Sequence, residues 1–410
     1  MPDGDTAVSA RVVENIANIP PDTWARLVGD GNPFVSYPFL LALEETNCTS
    51  NEAGWLPHHL VIEGANGEII AAAPLYLKSH SQGEYVFDHG WANAWERAGG
   101  RYYPKMQVAA PFSPVSGPRL LTGDGPGADN ARLTLLHGLE TVCQKLELSS
   151  VHVTFCTEHD YEVMGLAGWI QRLGRQFHWH NRDYETFNDF LAALTSRKRK
   201  MIRKERRHVA DQGISVRSLS GDDIKPHHWD AFYQFYVDTY DRKWGYPYLT
   251  REFFEAAQDR MGDRIVLVMA DMEGLPVAGA LNLRGADALY GRNWGCLGEY
   301  QFLHFEACYY QAIDAAIELG LSRVEAGAQG GHKLARGYEP VETVSAHWVA
   351  NVGFREAVAD FLDRERAGVR EGPRRRHGTR PAWGLHTEGR SQRCDARCEK
   401  GEEVELFDLG

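Results

Sequence analysis

Leu60-Val-Ile-Glu-Gly-Ala-Asn-Gly-Glu-Ile-Ile-Ala-Ala-Ala-Pro-Leu75 and Leu267-Val-Met-Ala-Asp-Met-Glu-Gly-Leu-Pro-Val-Ala-Gly-Ala-Leu-Asn282 read as two copies of one pattern. They align without a gap at an offset of 207, with identities at 60/267, 61/268, 67/274, 71/278 and 73/280. Each copy is an apolar strand, a glycine-containing turn and a second strand, which is a β-hairpin signal. A second match lies downstream, where 135–145 and 308–318 both have helical patterning. These run into Leu148-Ser-Ser-Val and Leu321-Ser-Arg-Val, then into strands over 151–155 and 324–326, at an offset of 173. The difference, 207 − 173 = 34, predicts about 34 extra residues in the first half, placed between Asp88 and Arg119.

Working outward, helices are expected ahead of each hairpin, over 21–28 and 37–45 and again over 225–242 and 250–261, with Asp222 or Asp223 as a cap. The order predicts an α/β chain with mixed sheets flanked by helices. Two units are expected, 1–180 and 181–368, each burying its own core, with a ligand cleft between them. From about Val369 apolar periodicity stops, so 369–410 reads as a disordered tail.

Composition bounds the function. The chain has 410 residues, 43% hydrophobic and 24% charged, which excludes wholesale disorder and fibrous classes. A formal net charge of -12 argues against a general nucleic-acid coat, so DNA is not an expected partner. No apolar run is long enough for a membrane span, and the start lacks a secretory pattern. A cytoplasmic protein is expected. Cys143, Cys156 and Cys308 sit in apolar stretches and read as buried free thiols. Cys394 and Cys398, with His377 and His386 upstream, have the wrong spacing for common zinc sites.

Four stretches can carry chemistry. In Ser196-Arg-Lys-Arg-Lys-Met-Ile-Arg-Lys-Glu-Arg-Arg, eight of the eleven residues from Arg197 to Arg207 are basic. Arg197, Lys198, Arg199, Lys200 and Arg203 are candidate phosphate binders, with a thin apolar stripe (Met201, Ile202, Val209) docking on the core. The second stretch, Glu325-Ala-Gly-Ala-Gln-Gly-Gly-His-Lys-Leu-Ala-Arg-Gly, opens from a strand end into a loop. There Gly330, His332, Lys333 and Arg336 are candidates for cradling an anion or oxyanion. Third, His178 and His180 alternate on one strand and therefore share a face. They are either polar residues at the junction, a general base, or part of a metal site. Fourth, Arg292 lies in Tyr290-Gly-Arg-Asn-Trp, and Glu306 and Tyr310 share a helix face suited to proton transfer or to a core contact. Tyr102 and Lys105 in the inserted stretch are candidates for a pocket wall. The pairs His58-His59 and His227-His228 read as surface or element-end residues. No Gly-x-Ser-x-Gly or His-Glu-x-x-His motif occurs, which leaves serine hydrolases and zincins without support.

In Tyr85-Val-Phe-Asp, Tyr102-Tyr-Pro-Lys, Gln176-Phe-His-Trp-His-Asn, Ser196-Arg-Lys-Arg-Lys, Leu303-His-Phe-Glu and His332-Lys-Leu-Ala-Arg-Gly-Tyr-Glu-Pro, the chain resembles the bacterial Fem-like N-acyltransferases over about residues 15–368. Those are linked to the peptidoglycan-bridge Fem aminoacyltransferases. The resemblance implies two tandem acetyltransferase-like (GNAT) domains. It also implies transfer of an acyl or aminoacyl group to an amine, such as that of a cell-wall precursor. The donor would be acyl-CoA or aminoacyl-tRNA as co-substrate, with no bound cofactor and no metal, and tRNA would be a partner. The late Lys-Lys-Gly-Phe motif of Fem ligases falls on Ala335-Arg336-Gly337-Tyr338, which keeps only its second basic residue. On this reading Arg336 and Lys333 serve the carbonyl or phosphate end, Glu306 or His180 accepts the amine proton, and Arg197–Arg207 holds the donor or a phosphorylated acceptor. The alternatives are a non-catalytic module that binds a peptidoglycan precursor or RNA, and a metal hydrolase using His178 and His180.

Overall fold

The computed structural model describes residues 8–29, 31–242, 245–328 and 330–371. The expected tail, apart from the end of the last helix, and the Cys394/Cys398 pair lie outside the described residues. The first half runs β1 (Ser9–Val13), α1 (Pro21–Val28), α2 (Tyr37–Glu45), β2 (Trp55–Pro57), β3 (His59–Glu63), β4 (Ile69–Ala73), β5 (Leu75–Lys78) and α3 (His89–Arg97). It continues with β6 (Lys105–Val108), α4 (Ala128–Lys145), β7 (Ser150–Cys156), α5 (Glu158–Leu166) and β8 (Ile170–His180). Two connecting helices follow, α6 (Phe187–Ala193) and α7 (Ser196–Asp211). The second half runs β9 (Ile214–Ser220), α8 (Pro226–Asp241), α9 (Arg251–Met261), β10 (Ile265–Met272), β11 (Leu275–Arg284) and β12 (Ala288–Cys296). It ends with α10 (Leu303–Phe305), a π-helical turn (Glu306–Tyr310), α11 (Gln311–Glu318), β13 (Arg323–Glu325), α12 (His332–Ala335), β14 (Glu339–Val349) and α13 (Val352–Glu371).

The predicted repeat is present in the hydrogen-bond registers. In the first half Leu75 pairs with Val108 and Met106 with Val151; in the second Asn282 pairs with Gly291 and Leu289 with Val324. The β4/β11 pair keeps the offset of 207, and Gly67 and Gly274 both adopt positive φ (76° and 80°), which explains the shared glycine. One part of the gapless alignment is corrected. Val61 faces the same core layer as Leu267 and Met269, whereas Leu60 and Ile62 face the opposite layer. Strand faces alternate with period two, so β3 superposes on β10 one residue further along, and the identities at 60/267 and 61/268 do not coincide in space. The insertion is also redistributed. It begins earlier than Asp88, because the β5–β6 connection spans 79–104 while β11–β12 needs only 285–287.

Among the described residues eleven strands form one mixed sheet in the order β2-β5-β6-β7-β14-β8-β13-β12-β11-β10-β9. The two halves exchange their last strands. β14 lies between β7 and β8, and β8 lies between β14 and β13. Pro74 stands where the second half has Leu281; lacking an N–H, it ends the strand, and β1, β3 and β4 form a separate three-stranded sheet. Each half buries an apolar cluster of its own, around Leu60, Leu135 and Val153 in the first and Val268, Ile313 and Val324 in the second, but a third is shared between them. The largest apolar cluster joins α1 and α2 of the first half to α8, α9 and β10 of the second. Phe39 meets Phe253 edge-on at 5.8 Å, and Phe112 stacks on Tyr248 at 5.0 Å.

Several local readings are settled. Cys143, Cys156 and Cys308 are buried free thiols. The cap of α8 is Lys225, not Asp222 or Asp223, which form a short 3-10 turn instead. His228 does sit at that helix start, where its Nδ1 accepts from the Lys225 N–H at 2.9 Å. His59 is not a surface residue: it is buried, 2.7 Å from Glu44 Oε1.

Candidate functional site

Helix α7 is amphipathic in an unusual sense. Ile202, Glu205 and Val209 face inward and are buried, while Arg197, Lys200, Arg203, Lys204 and Arg207 are exposed. Spacings of three and four residues bring the last four onto one stripe. Among the described residues, none of these five cations has a carboxylate within ion-pair distance. The inner face meets the π-helical turn, a feature frequent at functional sites because the extra residue re-aims side chains. Glu306 accepts from Arg206 Nε at 3.2 Å and Nη2 at 3.0 Å, and from Gln311 Nε2 at 2.8 Å. Arg206 also reaches Asp314 at 2.8 Å. Glu306 and Tyr310 do share a face, but it points at α7.

The loop after β13 closes on the same place. Arg336 is buried, with Nη2 2.9 Å from Glu205 Oε1, Nε donating to Tyr310 Oη at 3.1 Å and Nη1 to the His332 carbonyl at 3.1 Å. Its guanidinium lies 3.3 Å from the Phe305 ring centroid, and Tyr310 donates to Glu205. Three of its donors are thus committed within the fold, so Arg336 braces the site and does not offer a free fork for phosphate. Lys333 is buried with its ammonium 5.9 Å from the Phe177 ring centroid. His332 Nε2 is 3.0 Å from Tyr309 Oη, and burial with Arg336 and Lys333 nearby lowers its pKa to about 4. Lys198 Nζ donates to the Leu334 carbonyl at 2.7 Å, which ties the start of α7 to this loop. Gly330 has φ 105°, a conformation open to glycine.

Other expected site residues are placed elsewhere. Arg292 is buried and donates to the Phe112 carbonyl. His178 and His180 share a face, with ring centroids 6.3 Å apart, on the opposite side of the sheet from Phe177 and Trp179. Among the described residues no group of three or more His, Cys, Asp or Glu is arranged to hold a metal. Tyr102 and Lys105 do not form a pocket wall. Lys105 Nζ is fully buried against Asp88, Glu84 Oε2 (2.7 Å) and Ser81 Oγ (2.9 Å), and Tyr102 Oη donates to Asp88 at 2.7 Å. His152 Nε2 lies 2.8 Å from Ser150 Oγ, and its Nδ1 2.8 Å from His347 Nδ1. Burial raises Glu84 to about pKa 7 even against Lys105. Burial also opposes ionisation of Asp88, but Lys105 outweighs it and holds that carboxyl well below its usual range.

A pH prediction follows from Glu84. Its folded pKa lies above the unfolded carboxylate value, so between the two the native state holds a proton that the unfolded state has released. Stability is therefore lost as pH rises from about 4.5 to about 7. Glu84→Gln should remove that component, and urea titrations across this window should show the variant gaining on wild type as pH rises. A constant difference would refute the assignment.

Sequence reasoning missed Glu84, Asp88, His152, His347 and the brace role of Glu205. Tyr85-Val-Phe-Asp88 and Tyr102-Tyr-Pro-Lys105 were visible as blocks, but nothing local shows that they meet.

At the junction of the site, β12 pairs with β13 only from Ala288 to Tyr290. β11 has a bulge against β12 there, because Ala280 opposes Trp294 while Asn282 opposes Gly291, so Arg292 and Asn293 face Leu281 alone. Beyond Tyr290 the outer edge of β12 carries no strand among the described residues. In the first half the corresponding opening beside β7 is filled by the chain itself, since Gly117 N donates to Phe155 O at 3.0 Å and Arg119 Nε to Thr154 O at 3.0 Å. A family model for FemAB-like proteins, described as peptidoglycan biosynthesis/recognition, matches residues 15–382. The chain belongs to the FemAB-like family.

Solved structures support the architecture of this FemAB-like chain. The crystal structure of FemX matches 86% of this chain and 100% of its own length at 12% identity, with a TM-score of 0.54. The C-terminal domain of a putative lysylphosphatidylglycerol synthetase from Agrobacterium fabrum matches 84% of this chain and 95% of its own at 8% identity, TM-score 0.52. A tandem GNAT protein from the clavulanic acid biosynthesis pathway matches 84% of this chain and 99% of its own at 10% identity, TM-score 0.46. At such identities the likeness is one of fold. The fold shared is a large mixed sheet flanked by helices, in which this FemAB-like chain repeats its strand order. No curated protein is significantly similar in sequence. Among the described residues no helix is long and apolar enough to cross a membrane.

Proposed function

We propose that this FemAB-like protein is a transferase that moves an acyl or aminoacyl group from a phosphate-bearing donor, acyl-CoA or aminoacyl-tRNA, to an amine of a peptidoglycan precursor. The observation that carries the reading is the exposed, unopposed stripe Arg197, Lys200, Arg203, Lys204 and Arg207 on a helix tied through Lys198 to the loop beside the open edge of β12. Phosphates of the donor would sit on this stripe, where guanidinium forks and ammonium groups match their oxygens. The acyl carbonyl would lie along β12 beyond Tyr290, held for attack by a neutral amine. Positioning of this kind supplies much of the rate of an acyl transfer. Arg336, Glu205, Glu306 and Arg206 would hold the π-helical turn and the loop in register, acting through packing.

The test is direct. Lys200→Glu/Arg203→Glu/Lys204→Glu should weaken donor binding more than tenfold and flatten its dependence on salt, because fewer counterions are released. The melting temperature should hardly move, since these side chains are exposed and make no ion pair among the described residues. Transfer from labelled acyl-CoA and aminoacyl-tRNA to amine-bearing precursors should fall in parallel. Binding that is unchanged in the variant, or no transfer from either donor by the wild-type chain, would overturn the reading in favour of a recognition module.

A further inference from the structure

The repeat places two residue pairs at equivalent positions. In the parallel pairs, Gln107 lies opposite His152 and Tyr290 opposite Glu325. In the exchanged pairs, His347 lies opposite His152 and His178 opposite Glu325. Glu325 and His178 therefore occupy in the second half the places of His152 and His347 in the first. The first-half place is closed: the 79–104 connection brings in Asp88 and Tyr102, and His152 Nε2 sits 3.3 Å from Tyr102 Oη and 2.8 Å from Ser150 Oγ. The same connection brings the carboxylates that hold the Lys105 ammonium on this face. The second half has only 285–287 there, and Ala288 where the first half has Lys105.

The consequence is a buried carboxylate with half its capacity unused. Glu325 Oε1 accepts from Arg323 Nε at 3.0 Å. Its Oε2 has no hydrogen-bond partner among the described residues and faces His178 Nε2 at 3.7 Å. A buried carboxylate oxygen without a donor is costly, which marks it as a place for a ligand's donor. It sits at the last residue pair before β12 and β13 part, two residues along the strand and on the same face as the partly exposed Arg323 and His180.

We propose that Glu325 Oε2 receives the ammonium of the acceptor and takes its proton, with His178 as the neutral neighbour that positions the carboxylate. The proposal rests on the transfer reading above. One ammonium proton passes to Glu325, and the freed nitrogen lone pair forms the C–N bond. The donor's C–O or C–S bond breaks, and its electron pair leaves with the oxygen or sulfur, which takes the nitrogen's second proton. Glu325 then returns its own proton to water past His180. Burial, partly offset by Arg323, raises Glu325 to about pKa 7, and burial with Arg323 and His180 lowers His178 to about 3. These suit a base poised near neutrality beside an uncharged imidazole. The other charged or titratable groups around Glu325 are Asp287 and Tyr290.

The experiment compares wild type with Glu325→Gln in saturating donor, across about pH 6 to 8. The wild-type turnover should rise with pH. Glu325→Gln, which keeps the Oε1 acceptor for Arg323, should lose about 100-fold or more in kcat, lose the rising limb, and leave the KM for donor unchanged. Glu325→Asp should restore the limb in part, which a purely structural role would not do. Wild-type turnover with Glu325→Gln equally fast, or with its limb intact, overturns this inference and leaves the transfer reading standing. No turnover by wild type with either donor overturns both. Should Glu325→Gln fail to fold, a flat wild-type profile overturns the inference by itself.

Discussion

Residues 1–180 and 181–371, produced as separate chains, should each aggregate or remain partly unfolded, while the two produced together recover the native fold. The exchanged strands demand it. In the shorter piece, β7 loses β14, and β8 loses β14 and β13, its only partners in the sheet. In the longer piece, β14 loses both neighbours, from Glu339 to Val349, and β13 loses β8. Unpaired strand edges of this length template aggregation. The shared apolar cluster is also cut, exposing Phe34, Phe39 and Phe112 on one side and Tyr248, Phe253 and Tyr290 on the other. Each such side chain is worth about 1.5–3 kcal/mol when buried, and together these exceed the few kcal/mol by which a domain of this size is stable. Solubility, circular dichroism and amide exchange on each piece and on the mixture decide the matter. Cooperative unfolding of either piece alone at the midpoint of the intact chain would show that the exchange carries no stability.

The same exchange explains what the sequence could and could not show. Local signals were legible: the turn glycines at 67 and 274, the helices over 21–28 and 37–45, the alternation of His178 and His180, and the apolar stripe of α7 all read directly from spacing. The face of β3 was misread because alignment by identity is blind to a one-residue slip taken up in the hairpin turn, which is 65–67 in the first half and 273–274 in the second. Site residues were harder. Arg336 and Glu306 were chosen for their charge, but each meets its partner on α7 about a hundred residues or more away, Arg336 with Glu205 and Glu306 with Arg206. That partnership turns them from free groups into braces. Glu325 was quoted only as a strand end; its unpartnered oxygen emerges once the first half supplies the comparison. Pairing between β7 and β14, nearly 200 residues apart, leaves no local trace in composition or period.

Lys105→Met should be the most damaging single substitution in the first half. Lys105 is a buried cation between two buried carboxylates, Asp88 and Glu84, and also donates to Ser81. Methionine matches the stem in volume and packs well, so the loss isolates the charge. Breaking a buried pair by removing one partner costs about 3–5 kcal/mol, because the other charge is stranded without compensation. Here two carboxylates are stranded, and Lys78, whose own amine burial drives toward the neutral form, compensates poorly. The variant should therefore lose at least that much by urea denaturation, and more as pH rises, since the stranded carboxyls ionise in the unfolded state first. Adding Asp88→Asn and Glu84→Gln should recover most of the loss by removing the charges rather than restoring the cation. This contrast separates a structural ion cluster from a substrate-binding lysine. A binding lysine would lose ligand affinity with little change in stability, and its neighbours' neutralisation would rescue nothing. Lys105→Met within about 1 kcal/mol of wild type would overturn the assignment of this network as the tie that holds the 79–104 connection onto the sheet.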